Sequence, residues 1–139
     1  MDVLTPEQRS RNMRAIKGRD TRPELIVRRL VHGLGYRFRL HGNGLPGRPD
    51  LVLRRFGLVV FVHGCFWHRH RCRSGLATPA TRPAFWKAKF AQNVERDRRT
   101  MRALRRDGWR VLVIWECQTR DADRLRARLA ALLKASDQS

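Results

Sequence analysis

Between His63 and Cys72 the chain runs His-Gly-Cys-Phe-Trp-His-Arg-His-Arg-Cys, placing two cysteines and three histidines within ten residues. Thiolate and imidazole donors at such short spacing suit tetrahedral zinc, a borderline-soft ion that prefers sulfur and nitrogen. The third and last cysteine, Cys117, stands just past Trp109 to Trp115. That run, Trp-Arg-Val-Leu-Val-Ile-Trp, is almost wholly apolar and predicts a central strand covered on both faces. If it lies beside the extended run Leu58 to His63, Cys117 reaches the histidine-rich loop. Four ligands then close the sphere and make the metal structural. Cys65, Cys72 and Cys117 leave one place, contested by His68 and His70, which alternation puts on the same side of an extended loop. For isolated residues the plainer reading is small buried thiols and solvent-facing imidazoles. Three cysteines cannot close a disulfide framework, and their convergence on one loop favours the metal.

Around this loop the chain divides into short, regular pieces. Thr5-Pro6-Glu7 has the hydroxyl cap, early proline and early acid of a helix start, and this first helix carries Arg9, Arg11, Arg14 and Lys17 before stopping near Gly18. A second helix begins at Thr21-Arg22-Pro23-Glu24, which has capping-box spacing. Leu25, Ile26, Leu30 and Val31 form its predicted buried stripe, and Gly33 and Gly35 end it. Three extended runs follow, Tyr36 to Leu40, Asp50 to Arg54 and Leu58 to His63. The glycine- and proline-rich stretch 41–49 separates the first two, and a tight turn near Gly57 joins the second and third. That is an antiparallel meander. Helical spacing returns from Pro83 to Asp107, with Phe90, Val94, Met101 and Leu104 on the core side, and Asp121 caps a last helix through Leu133. The order predicts one mixed α/β domain over 1–139, with an arginine-rich helix in 1–20 placed to meet a polyanion and a frayed tail at 135–139.

Charge limits the partner. Lys and Arg number 31 against 12 Asp and Glu, a formal charge of +19. Such an excess calls for nucleic acid, an anionic membrane surface or an acidic protein. No apolar run of about 18 residues offers a membrane span, and Met-Asp-Val-Leu-Thr-Pro-Glu lacks the basic-then-apolar order of a signal peptide. The expectation is a soluble, cytoplasmic protein.

Asp50 opens the second strand directly after the glycine-rich loop, where a carboxylate can project from a sheet edge. Magnesium takes oxygen ligands, commonly one or two protein carboxylates and a substrate phosphate, so Asp50 is a candidate anchor. An Asp after Pro is more often a strand-start residue; this one gains interest because His63 ends the neighbouring strand. Phe66, Trp67 and Trp86 are apolar rings in arginine-rich segments. Either they fold back on the core, or they wedge between bases as in proteins that kink DNA.

With these residues assembled, the sequence resembles the very short patch repair endonucleases, a branch of the PD-(D/E)XK nuclease-like fold. The matching segments are Arg11-Asn12-Met13-Arg14-Ala15-Ile16, Leu45-Pro46-Gly47-Arg48-Pro49-Asp50, His63-Gly64-Cys65-Phe66-Trp67-His68, Pro79-Ala80-Thr81-Arg82, Asn93-Val94-Glu95-Arg96-Asp97-Arg98-Arg99 and Gly108-Trp109-Arg110-Val111. They run in order up to Cys117. The resemblance implies a restriction-endonuclease-like mixed sheet flanked by helices. It implies a zinc set of Cys65, His70, Cys72 and Cys117, which releases His68 for catalysis. Asp50 and the backbone carbonyl of Val62 would bind magnesium, His63 and His68 would flank the scissile phosphate, and Glu24 would be an accessory acid. Met13, Phe66, Trp67 and Trp86 would enter the base stack, with Lys89 and Asn93 at the mispaired bases.

Two departures from the family matter. Val62 stands where Thr is common, and Phe61-Val62-His63 replaces the Glu-x-Lys of the wider fold. Histidines must therefore supply the proton chemistry. The expected function is a monomeric, magnesium-dependent endonuclease that nicks duplex DNA 5′ of the thymine in T:G mismatches left by 5-methylcytosine deamination. Functional links to a cytosine-5 DNA methyltransferase and mismatch-repair proteins follow from the same resemblance. The rivals are a restriction-type or less selective nicking nuclease, and a zinc-stapled DNA-binding module without hydrolysis.

Overall fold

The computed structural model describes residues 20–137. The first predicted helix and Met13 lie outside the described residues. Helix α1, Arg22–Gly33, starts where the hydroxyl of Thr21 accepts the Glu24 N–H at 3.4 Å. The Glu24 carboxylate accepts the backbone N–H of Asp20 at 2.8 Å, one residue earlier than a capping box requires. The buried stripe is rotated from the predicted one: Val27 and Val31 are fully buried, Leu30 is partly buried, and Leu25 is 37% exposed.

The predicted meander forms, with shorter strands. Strands β1, Arg39–Leu40, β2, Leu51–Leu53, and β3, Leu58–His63, pair antiparallel in sequence, and Gly57 (φ 61°) takes the left-handed conformation at the turn between the last two. Two one-turn helices follow, α2, Cys65–His68, and α3, Arg73–Leu76, then the long α4, Pro83–Arg106. Strand β4, Arg110–Trp115, runs parallel to β3 with His63 opposite Trp115. Helix α5, Ala122–Asp137, closes the described chain, with the Arg124 N–H donated to Asp121; it continues past the predicted end at Leu133.

The four strands lie in the order β1-β2-β3-β4, so among the described residues β4 is an edge strand and β3 is interior. This corrects the expected central position of β4. Its apolar sequence has a different cause, because helices cover both faces out to the edge. Leu112 and Ile114 join the cluster built on α1 and α5 with Leu58 and Val60, while Val111 and Val113 join the opposite cluster with Phe61 and Leu104 of α4. The alternation of β3 therefore sends His63 to the α4 side. No helix among the described residues is long and apolar enough to cross a membrane.

Candidate functional site

The C-terminal ends of β3 and β4 lie side by side, and every titratable group of interest gathers at or beside them. Past Trp115 a 3₁₀ turn, Glu116–Arg120, brings Cys117 back toward the start of α2. The Cys117 N–H donates to Cys65 Sγ at 3.4 Å, while His70 Nδ1 lies 3.5 Å from Cys117 Sγ and 3.8 Å from Cys65 Sγ. The donor atoms of Cys65, His70, Cys72 and Cys117 all fall within 4.8 Å of one another. Bonds of about 2.0–2.3 Å to a tetrahedral metal need donor separations somewhat under 4 Å, so this cluster can hold a metal with little adjustment. Burial pushes the Cys65 thiol up to about 12, which a cation among the donors would reverse.

The loop is not extended, and this separates the two histidines that alternation had placed together. Cys65–His68 is a helical turn, and Arg69 (φ 57°) follows it in the left-handed conformation. His70 is thereby turned to the thiols and His68 away from them. A Cβ on Gly75 would overlap the His70 carbonyl, so the return of the chain at α3 depends on that glycine. The Arg69 guanidinium holds the next segment by bonding to the Leu76 and Ala77 carbonyls and the Thr78 hydroxyl, and lies 4.2 Å from the Phe90 ring centroid.

His68 faces α4. Its Nδ1 lies 2.6 Å from Asp97 Oδ2, and its ring stacks on His63 with centroids 3.8 Å apart and planes 7° apart. With Nδ1–H donated to a carboxylate, the base nitrogen of His68 is Nε2. His63 is buried, and desolvation, then the neighbouring His68, lower its pKa to about 3, so it stays neutral at ordinary pH. Trp115 connects the two clusters: it stacks on His70 at 4.4 Å and meets the His63 ring edge-on at 5.3 Å. Asp97 is a site residue that the sequence pattern leaves without a role; the one signal for it is its i,i+4 relation to Asn93, which puts both on one face of α4.

An acidic pair lies at the same end of β3, bonded to the backbone of the residue before His63. The Val62 N–H donates to Asp50 Oδ2 at 2.6 Å, and Glu24 lies against the same carboxyl. Burial raises the Asp50 pKa to about 7, the Val62 N–H and Arg28 opposing the rise and Glu24 adding to it. Arg28 pairs with Glu24 at 3.3 Å and Asp20 at 2.7 Å. One buried and one half-buried carboxyl with oxygen donors only are a donor set for a hard cation.

The aromatic residues form a half-buried cluster rather than single wedges. Phe66 meets Trp67, Trp86 and Phe90 edge-on, with centroids 5.0 to 5.8 Å apart. Asn93 is only 5% exposed and donates its amide to the Trp67 carbonyl at 3.2 Å, so it holds this cluster from the face of α4 that also carries Asp97. Lys89 is half-buried one turn earlier. Between α4 and β4 lies an open cleft of about 470 Å³ whose inner end is His63, His68 and Asp97, with Met101 and Val113 among its apolar lining.

The family model of DNA mismatch endonuclease Vsr matches residues 1–74. The chain is 48% identical over 135 residues to the type II nicking enzyme V.XorIIP of Xanthomonas oryzae pv. oryzae, covering 97% of this chain and 98% of that protein. It is 48% identical over 124 residues to DNA mismatch endonuclease Vsr of Escherichia coli, covering 89% and 79%. Against the type II nicking enzyme V.NmeAIP of Neisseria meningitidis it is 37% identical over 133 residues, covering 96% and 94%.

Proposed function

The chain belongs to the DNA mismatch endonuclease Vsr family, and on that premise we propose that this mismatch-repair endonuclease nicks the thymine strand 5′ of a T:G mismatch. The observation that carries the reading is the convergence of His63, His68 and Asp97 at the inner end of one cleft, with Asp50 bonded to the backbone of Val62, the residue before His63. His68 Nε2 takes a proton from the attacking water, and Asp97 holds the ring in the required tautomer and stabilises the imidazolium that forms. His63, neutral and stacked on His68, fixes that ring in place and can donate one hydrogen bond to a phosphate oxygen. The supporting geometry distinguishes the two histidines, since His68 is the one that hydrogen-bonds Asp97.

Asp50 and the Val62 carbonyl are the proposed magnesium ligands, with Glu24 as an accessory acid beside Asp50. When bound there, magnesium polarises the phosphate and stabilises the leaving oxygen. The Val62 N–H at Asp50 Oδ2 orients the carboxylate beside Glu24. Cys65, His70, Cys72 and Cys117 are the proposed structural zinc ligands. They tie β4 to the loop that carries His68, which supports reading the domain as restriction-endonuclease-like with a metal staple. Phe66, Trp67 and Trp86 present a preassembled aromatic face to the bases, with Lys89 and Asn93 beside it. The proposal extends over 1–139 as one domain, with Met13 and the basic 1–20 segment on the DNA.

The test uses two duplexes that differ in one base pair, T:G against T:A, each with and without magnesium. The reading expects one nick, 5′ of the mismatched thymine, only with T:G and magnesium. Equal nicking of both duplexes would favour a less selective nicking enzyme, and binding without nicking would favour a non-catalytic module.

A further inference from the structure

The cleft continues beyond the histidines along the second half of α4, where Arg98, Arg102 and Arg105 border it. Their spacing of four and three residues sets them on one face of the helix, and all three are exposed. Of these three, only Arg102 has an ion-pair partner among the described residues, Glu95 at 3.8 Å, and both side chains of that pair are more than half exposed. Three exposed guanidinium groups beside one cleft repel each other without an anion, and burying Met101 and Val113 there needs an occupant with an apolar part. A sugar–phosphate strand has both parts. At about 1.5 Å of rise per residue the row spans about 10 Å, close to three axial steps of about 3.4 Å from phosphate to phosphate along one strand.

Position along α4 assigns the polarity. Trp86 and Phe90 of the aromatic cluster lie near its start, Asp97 with His68 lies at its middle, and the arginine row follows. If the aromatic face meets the mismatch and the nick falls 5′ of the thymine, the strand leaving the nick away from the mismatch runs along the row. We propose that Arg98, Arg102 and Arg105 bind the phosphates on the 5′ side of the scissile phosphate, making α4 a ruler that measures the nick from the mismatch. This rests on the mismatch-nicking reading above. The row acts by positioning: Arg102 and Arg105 touch flanking phosphates and leave the reacting atoms to His68.

The experiment couples charge removal on the two sides of the contact. Binding of the full chain to T:G duplexes is measured in magnesium-free buffer, with neutral methylphosphonates replacing either the two phosphates 5′ of the mapped nick or two phosphates beyond the mismatch. The unsubstituted protein should lose affinity several-fold for the 5′ replacement. Arg102→Gln/Arg105→Gln should lose nothing further there, yet suffer the same loss as the unsubstituted protein for the replacement beyond the mismatch. Its salt-dependence slope should fall by about 0.9 for each contact removed. Full, additive losses at the 5′ phosphates in the double variant would overturn the assignment. Unmodified T:G and T:A duplexes in the same series, nicked with magnesium, report the mismatch reading separately: equal nicking sinks that reading, while the coupling at phosphates counted from the nick still decides the arginine contact.

Discussion

The two faces of the sheet have been built to different ends. Toward α1 and α5, Val27, Val31, Leu51, Ile114, Leu129 and Leu133 are at most 1% exposed and purely aliphatic. Toward α4, packing is complete only around Val52, Val59, Phe61 and Leu104, and then gives way to histidines, Asp97 and an open cleft of about 470 Å³. Both faces are made by the same strands, since alternate residues of β3 and β4 serve one or the other. The closed face supplies stability and the open face keeps polar groups and space for a strand of DNA. Stability and catalysis should therefore respond to different substitutions, and the exceptions should lie where a single link serves both.

The metal cluster is such a link, because it joins the end of β4 to the turn carrying His68. Cys117→Ser should abolish tight metal binding and lower stability by several kcal/mol, with nicking lost as a consequence of unfolding. Metal analysis after native purification, combined with thermal unfolding, checks this; a metal-free protein of unchanged stability would show that the thiols are merely packed. A smaller effect separates the faces. Leu129→Ala, in the closed core, should cost about 2–5 kcal/mol and leave the single-turnover rate of the folded fraction unchanged. Met101→Ala, in the half-buried cleft wall, should cost only about 1 kcal/mol yet weaken DNA binding. Equal stability losses would erase the distinction between the faces.

Asp50 and His63 oppose one another in their response to pH. The Asp50 carboxyl, raised from 3.8 to about 7, makes the magnesium-free fold lose stability as pH rises from about 4 through 7. His63, lowered from 6.5 to about 3, makes the fold lose stability as pH falls from about 6.5 toward 3. Their slopes nearly cancel between pH 4 and 6.5. Asp50→Asn removes the first alone, so in magnesium-free buffer it should be more stable than the unsubstituted protein at pH 8 by on the order of 2 kcal/mol, and the difference should shrink at pH 5. Urea unfolding at the two pH values measures it. A difference independent of pH would show that Asp50 is not protonated in the metal-free fold.

Much of this arrangement was legible in residue pattern. The hydroxyl at Thr21, Gly57, Asp121 and the alternation of the extended runs carry local signals, and the corresponding elements formed where those signals lay. The gathering of Cys65, Cys72 and Cys117 was also legible, because it required only that β4 lie beside β3. Which histidine joined them was not legible from spacing alone: it depends on one helical turn and the left-handed Arg69, neither of which the residue types demand. Asp97 was missed because its partner, His68, lies 29 residues away and is reached only through the packing of α2 on α4. The edge position of β4 was hidden for another reason, since apolar content reports coverage of the two faces and is silent about neighbours in the sheet.

His68 and His70 lie two residues apart and are turned to different clusters, His68 to Asp97 and His70 to the thiols. The decisive measurement sets His68→Ala beside His70→Ala, with metal content, thermal unfolding and single-turnover nicking of a T:G duplex recorded for each. The account predicts that His68→Ala keeps its metal and its stability while nicking falls about 10²-fold or more, and that His70→Ala loses both metal and stability. Metal loss in His68→Ala, with a well-folded but inactive His70→Ala, would contradict it and transfer the base to His70.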